Sequence, residues 1–232
     1  MRYTREAYER PVVPECAADY SRWMLNIDGS HADFWSTPAA NMWWRGHQIL
    51  KTPNDLWLYQ ELFWRLRPTL VVETGTYRGG TALYYADLMD LFGIEGRVIS
   101  VDNEYREGLP QHPRLQFLVG DSVAPESQQV IGAAAAESPG PVMVIHDSAH
   151  IYTQVRAELA TYHHLVTPGS YFVVEDTMAY FGRWTTETWE QSPGKAVVEF
   201  LNQHPEFDID WSMEKYAATT IHAGWLKRQE TL

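Results

Sequence analysis

The sequence is poor in cysteine, in basic residues and in long apolar runs. Cys16 is the single cysteine among 232 residues, so no internal disulfide can form. That usage fits a reducing compartment, and we expect a cytoplasmic protein. Lys plus Arg total 18 against 30 Asp plus Glu, a formal net charge of −12. No Lys/Arg run offsets that balance, so neither nucleic acid nor an anionic membrane is an expected partner. No apolar stretch approaches the roughly 20 residues of a membrane-spanning helix. The opening residues carry Arg2, Arg5, Glu6, Glu9 and Arg10 with no apolar segment behind them, unlike a secretory signal. Internal repeats are absent, and low complexity is confined to Ala133–Ala136.

What is present is a globular composition, 45% hydrophobic and 21% charged, with ten Trp and thirteen Tyr. Residues 1–52 read as an N-terminal extension rich in tryptophan (Trp23, Trp35, Trp43, Trp44). We expect these to form a satellite core, with a lid or assembly segment as the alternative. Residues 53–232 read as the main domain. Asn54 is placed as the cap of a helix carrying Leu56, Tyr59, Phe63 and Leu66 at helical spacing, ended by Pro68. Beyond it, apolar runs at 70–72, 98–101, 115–119, 142–145 and 171–174 alternate with helical patterns at 80–92, 123–136 and 152–165. Continuous apolar strands alternating with helices predict an α/β fold, a parallel sheet covered on both faces. Ligands of such sheets bind outside the carboxyl ends of the strands. Acidic residues stand at all five ends: Glu73, Asp102, Asp121, Asp147 and Glu175-Asp176.

Three groups of residues carry chemistry. Glu73-Thr74-Gly75-Thr76-Tyr77-Arg78-Gly79-Gly80-Thr81 brings backbone close to a ligand between strand and helix. It lacks the Gly-Lys-Ser/Thr of a phosphate loop and the G-x-G-x-x-G spacing of a dinucleotide turn. A nucleoside without a phosphate to cradle suits it; a tight turn alone is the alternative. Asp102 can accept both hydroxyls of a ribose, or merely cap a helix. Asp121-Ser122 can meet the base, or merely start a helix. The third group is His146-Asp147-Ser148-Ala149-His150 with Glu175-Asp176. Three converging carboxylates repel unless a cation or protons intervene, and an oxygen-rich open site suits Mg2+. His150 can then take a proton near neutral pH. The alternative gives Asp147 to the nucleoside, Glu175-Asp176 to a loop cap and His150 to a helix start. His163 and His164 are expected in packing or surface roles, and His31, His47, His112, His204 and His222 have no spaced partner.

In order, E-T-G-T-x-x-G-G-T-A, V-D, G-D-S, D-x-x-H and T-P-G-S-Y-x-V-V-E-D resemble S-adenosylmethionine (SAM)-dependent methyltransferases. More narrowly, the chain resembles the cephalosporin hydroxylase / rhamnosyl O-methyltransferase family. Thr52 to Glu61, Lys195 to Leu201 and Glu214 to Arg228 match that family too, so the resemblance spans roughly residues 40 to 228. It implies a Rossmann-like class I fold, a mostly parallel seven-stranded sheet with helices on both faces. The last strands would lie near 207–211 and 219–226. By resemblance, Glu73, Gly75, Thr76, Tyr77, Gly79 and Thr81 hold the methionine and ribose part of SAM. Asp102 and Asn103 serve the ribose, Asp121 and Ser122 the adenine. Related macrolide-sugar O-methyltransferases carry D-x-x-H and E-D with Mg2+, which implies Asp147, Glu175 and Asp176 as metal ligands. His150 and Asp147 would be catalytic. Many family members read D-S-D-H where this chain has Asp147-Ser148-Ala149-His150, so one acidic residue is missing.

The expectation is therefore a SAM-dependent, Mg2+-assisted O-methyltransferase, working as a homo-oligomer on a hydroxyl of a small sugar or secondary metabolite. A β-lactam-tailoring, hydroxylase-like protein and a non-catalytic SAM- or sugar-binding protein are the alternatives. The Trp-rich start and residues 178–191, with Tyr180, Phe181, Trp184 and Trp189, are expected to shape the substrate pocket.

Overall fold

The structure is a computed structural model and describes residues 2–8, 15–26, 29–177 and 188–230. Helices α1 (Arg5–Tyr8) and α2 (Glu15–Met24) come first. An antiparallel hairpin of β1 (Met42–Trp44) and β2 (His47–Ile49) follows. Arg45 and Gly46 turn it with φ of 49° and 83°, the two-residue geometry that matches strand twist.

Helix α3 (Pro53–Leu66) begins two residues earlier than expected. Thr52 is its cap, the hydroxyl accepting from Asp55 N at 3.2 Å, and Pro53 occupies the first helical position. Asn54 instead lies in the first turn and donates to Ala218 O.

The rest runs β3 (Leu70–Thr74), α4 (Gly80–Phe92), β4 (Arg97–Asp102), β5 (Leu115–Val119), α5 (Pro125–Glu137) and β6 (Val142–His146). It continues α6 (Tyr152–Tyr162), β7 (Tyr171–Val174), α7 (Pro193–Gln203), β8 (Phe207–Ile209) and β9 (Trp225–Arg228). The seven-stranded sheet has the order β5-β4-β3-β6-β7-β9-β8. The five neighbours β5-β4-β3-β6-β7 pair in parallel, and β9 runs antiparallel to both neighbours. This is a Rossmann-like α/β sheet. Its last two strands are shorter or later than expected. Asp210 accepts from Ser212 N and turns the chain out after β8, and Thr219 and Thr220 donate to the buried Asp55 instead of joining the ladder.

The strand period of two divides the core. Val72, Val144 and Phe172 face Leu159 of α6 and Val197 of α7. Val71, Met143 and Val173 face Phe63 of α3 and Tyr85 of α4. Burial on both faces explains why these strands read as unbroken apolar runs. The N-terminal tryptophans do not form a satellite core: Trp23, Trp35 and Trp43 are exposed, and the small cluster there is Met24, Leu25 and Ala39. Among the described residues no helix is long and apolar enough to cross a membrane.

Candidate active site

The site forms where β3, β4, β6 and β7 release the chain. Gly75 follows β3 with φ of 89°, and a Cβ there would lie 2.0 Å from Asp147 O. Only glycine lets the loops after β3 and β6 touch. Asp102, at the end of β4, accepts from Thr76 N and Tyr77 N at 3.0 Å each, and from Glu104 N at 3.0 Å. It therefore shapes the Gly75–Tyr77 turn while bordering the cleft.

That cleft has two lobes. The first, about 310 Å³, is walled by Lys51, Thr76, Tyr77, Asp147, His150 and Asp176. The second, about 170 Å³, is walled by Asn103, Asp121, Ser122, Ala149 and Gln154. Asp102 and Ser148 border both. Of the residues expected at the cofactor, Gly75, Thr76, Tyr77, Thr81 and Asp102 line the first lobe, and Asn103, Asp121 and Ser122 the second. Gly79 is the cap of α4, behind the wall. Glu73 departs from its expected place. It lies fully buried beneath the loop, accepting from Ser100 Oγ at 2.6 Å, because its strand position points inward.

Asp147, His150 and Asp176 each bring one donor atom within 4.8 Å of the others. His150 Nε2 lies 3.0 Å from Asp176 Oδ2, and its buried Nδ1 has no hydrogen-bond partner among the described residues. Asp176 holds a left-handed backbone, φ 52°, a conformation that non-glycine residues adopt mainly where surroundings enforce it. Burial acts to lower the His150 imidazole, but Asp176 and Asp147 outweigh it and lift the group to about 9. Burial pushes Asp176 up; His150 outweighs that and lowers it.

Glu175, expected as a third metal ligand, stands outside this convergence. It is buried, accepts from Tyr59 OH at 2.5 Å and lies 3.5 Å from Lys51 Nζ. The strand β7 ends at Val174 and the chain turns at Asp176 with φ 52°, so Glu175 and Asp176 reach different partners. Lys51 also lies 2.5 Å from Asp147 Oδ2 and is only 3% exposed. Burial would lower its ammonium; Asp147 and Glu175 outweigh that and raise it. No motif marks Lys51, and Tyr59 is marked only as a helix position within the family-matching Thr52–Glu61 segment. Ala149 lines the second lobe, so the missing family acid leaves the three-donor group intact.

Tyr180, Phe181 and Trp184 fall outside the described residues. Trp189 packs against Tyr8, ring centroids 5.7 Å apart, and lines neither lobe. His163, His204 and Glu206 form a second convergent group, also away from both lobes.

A family model described as rhamnosyl O-methyltransferase/CmcI matches residues 37–229. The chain belongs to that family. It is thus an enzyme of the methyltransferase class. The rhamnosyl O-methyltransferase of Mycobacterium leprae (strain TN) is 32% identical over 218 residues, 92% of this methyltransferase and 90% of the relative. That of Mycobacterium tuberculosis (strain H37Rv) is 35% identical over 188 residues, 79% and 76% of the two chains. A solved CmcI structure described with Mg and SAM superposes with a TM-score of 0.64 at 24% identity, over 95% of this methyltransferase and 87% of that chain. A CmcI structure with SAH gives 0.62 at 24% identity, over 95% of each chain. The family match begins inside the Trp-rich segment, and Gln48, Leu50 and Lys51 of that segment border the first lobe.

Proposed function

We propose that this enzyme transfers the methyl group of SAM to a hydroxyl of a small sugar-bearing molecule, assisted by Mg2+ at Asp147 and Asp176. The observation that carries the reading is the convergence of Asp147, His150 and Asp176 in the lobe that also contains the Gly75–Tyr77 turn. The donor set fits a hard divalent cation, which takes one or two carboxylates and keeps positions open for other oxygens. The buried Nδ1 of His150, without a partner among the described residues, is an unmet need of the kind that a bound group satisfies. The two-lobed cleft fits a nucleoside, with Asp102 at its waist facing the ribose and Ser122 in the lobe for the base.

When bound, SAM supplies the methyl group and Mg2+ the Lewis acidity that eases loss of a hydroxyl proton. A cation at Asp147 and Asp176 would offset the two carboxylates that raise the His150 imidazole, and the neutral ring would then receive that proton at Nδ1. Asp176, bonded at Nε2, orients the ring and stabilises its charged form, as a carboxylate does for a catalytic imidazole elsewhere. Asp147 is held by the ammonium of Lys51. The N-terminal segment adds Leu25, Phe34 and Ala39 to the first lobe, an apolar wall that serves substrate positioning and water exclusion. A rhamnosyl-type acceptor is the best-supported substrate, since the mycobacterial relatives are named rhamnosyl O-methyltransferases. The hydroxylase-like alternative has no observation in its favour beyond family naming.

Calorimetric titration with SAM tests the cofactor placement. Wild type binds SAM and not NAD, and Asp102→Ala weakens binding about tenfold or more, the scale of a lost bond to a charged group. Equal SAM affinity in wild type and Asp102→Ala would overturn the placement.

A further inference from the structure

Glu158 lies in α6, outside every motif of the sequence, and is fully buried. Five donors converge on its carboxylate. Oε2 accepts from Thr74 Oγ1 and His146 Nδ1, each at 2.5 Å. Oε1 accepts from Ser122 Oγ at 2.5 Å, Ser148 Oγ at 2.8 Å and Gln154 Nε2 at 2.9 Å. Thr74 ends β3 and His146 ends β6. Ser122 sits in the connection from β5 to α5, and Ser148 in the connection from β6 to α6.

A carboxylate offers about four lone-pair positions, and these donors use them all. An ionised carboxylate is costly to bury unless surrounded in this way. Burial pushes Glu158 up, but His146 and the hydroxyl donors outweigh it and hold the group at about 2. Packing alone would be served by an apolar side chain here. What the carboxylate adds is a directional tie between loops that belong to different lobes. Ser122 lines the second lobe, while Ser148 borders both and adjoins Asp147.

The geometry points to Glu158 as a positioning residue that locks the adenine-side loop at Ser122 to the acid-cluster loop at Ser148. It touches neither lobe and acts through the two serines. A nucleoside that fixes Ser122 thereby fixes Ser148 and the adjoining Asp147, so cofactor binding prepares the place where the hydroxyl reacts. This rests on the reading of the cleft as a SAM site.

A double-mutant cycle read in affinity tests it, with S-adenosylhomocysteine as the probe and the purified full chain. Ser122→Ala, Ser148→Ala and their combination are titrated in wild type and in Glu158→Gln. In wild type the double variant should bind at least about threefold more tightly than the product of the single losses, the non-additivity of residues sharing one partner. In Glu158→Gln the losses should multiply to within about twofold. A purely structural Glu158 would lower the thermal midpoint without coupling the serines. Independent losses in wild type, or coupling that persists in Glu158→Gln, would overturn the assignment. If Glu158→Gln does not fold, the wild-type cycle decides alone. Failure of wild type to bind S-adenosylhomocysteine would instead overturn the cofactor reading beneath it.

Discussion

Lys51 Nζ lies 2.5 Å from Asp147 Oδ2, although 96 residues separate them in the chain. Both side chains are largely withdrawn from water, and Glu175 shares the ammonium from 3.5 Å. Removing one partner of a buried pair leaves the other charge uncompensated, at a cost of about 3–5 kcal/mol. Lys51→Met should therefore lower unfolding free energy by about that amount, measured by urea titration. An unchanged midpoint and slope would show that the pair is not formed in solution.

His150 lines the first lobe with Nδ1 unpartnered among the described residues and Nε2 bound to Asp176. His150→Ala should cut turnover by about 10²–10⁴-fold, the usual contribution of a positioned general base. The KM for SAM should change little, because no expected cofactor residue bonds to this ring. Steady-state kinetics with both substrates varied separates the two. Loss confined to the KM for SAM would move His150 from proton transfer to cofactor binding.

Glu73 is buried, and its Oε1 has no partner among the described residues. Burial first, then the nearby Asp147, push its carboxyl up to about 8. An unfolded glutamate titrates near about 4.3. Between those values the folded chain keeps a proton that the unfolded chain has lost, so stability falls as pH rises. The contribution is fully present below the unfolded value and is lost as the pH passes through about 8. Glu73→Gln should remove this slope. Its stability relative to wild type should climb between about pH 5 and pH 8, by up to about 1.4 kcal/mol per pH unit. Parallel stability curves for the two proteins would contradict the buried, protonated state.

Much of this arrangement is legible in the sequence, for physical reasons that also mark where legibility stops. The strands through Val72, Val144 and Val173 are unbroken apolar runs because both sheet faces are covered. The acids at their ends are visible because the chain leaves the sheet there. What one residue does to another across the fold is not visible. Lys51 follows a short hairpin and precedes a helix cap, and nothing local announces that it will meet Asp147. Glu175 and Asp176 look like one pair on paper, yet the left-handed turn at Asp176 sends them to different partners, one to Tyr59 and one to His150. Glu158 reads as an ordinary helix glutamate until the ends of β3 and β6 are seen to point at it. Thr52-Pro53 did carry a usable signal, since proline at the first helical position marks the residue before it as the cap.

The most direct test of the central claim is transfer of labelled methyl from SAM to a rhamnoside acceptor, run with Mg2+, with EDTA, and with Asp147→Asn and Asp176→Asn. The expected result is label in the acceptor with Mg2+, loss of at least about a hundredfold in EDTA and in both variants, and recovery of the wild type alone when Mg2+ is restored. Equal transfer in EDTA and in both variants would contradict a cation-assisted reaction at Asp147 and Asp176.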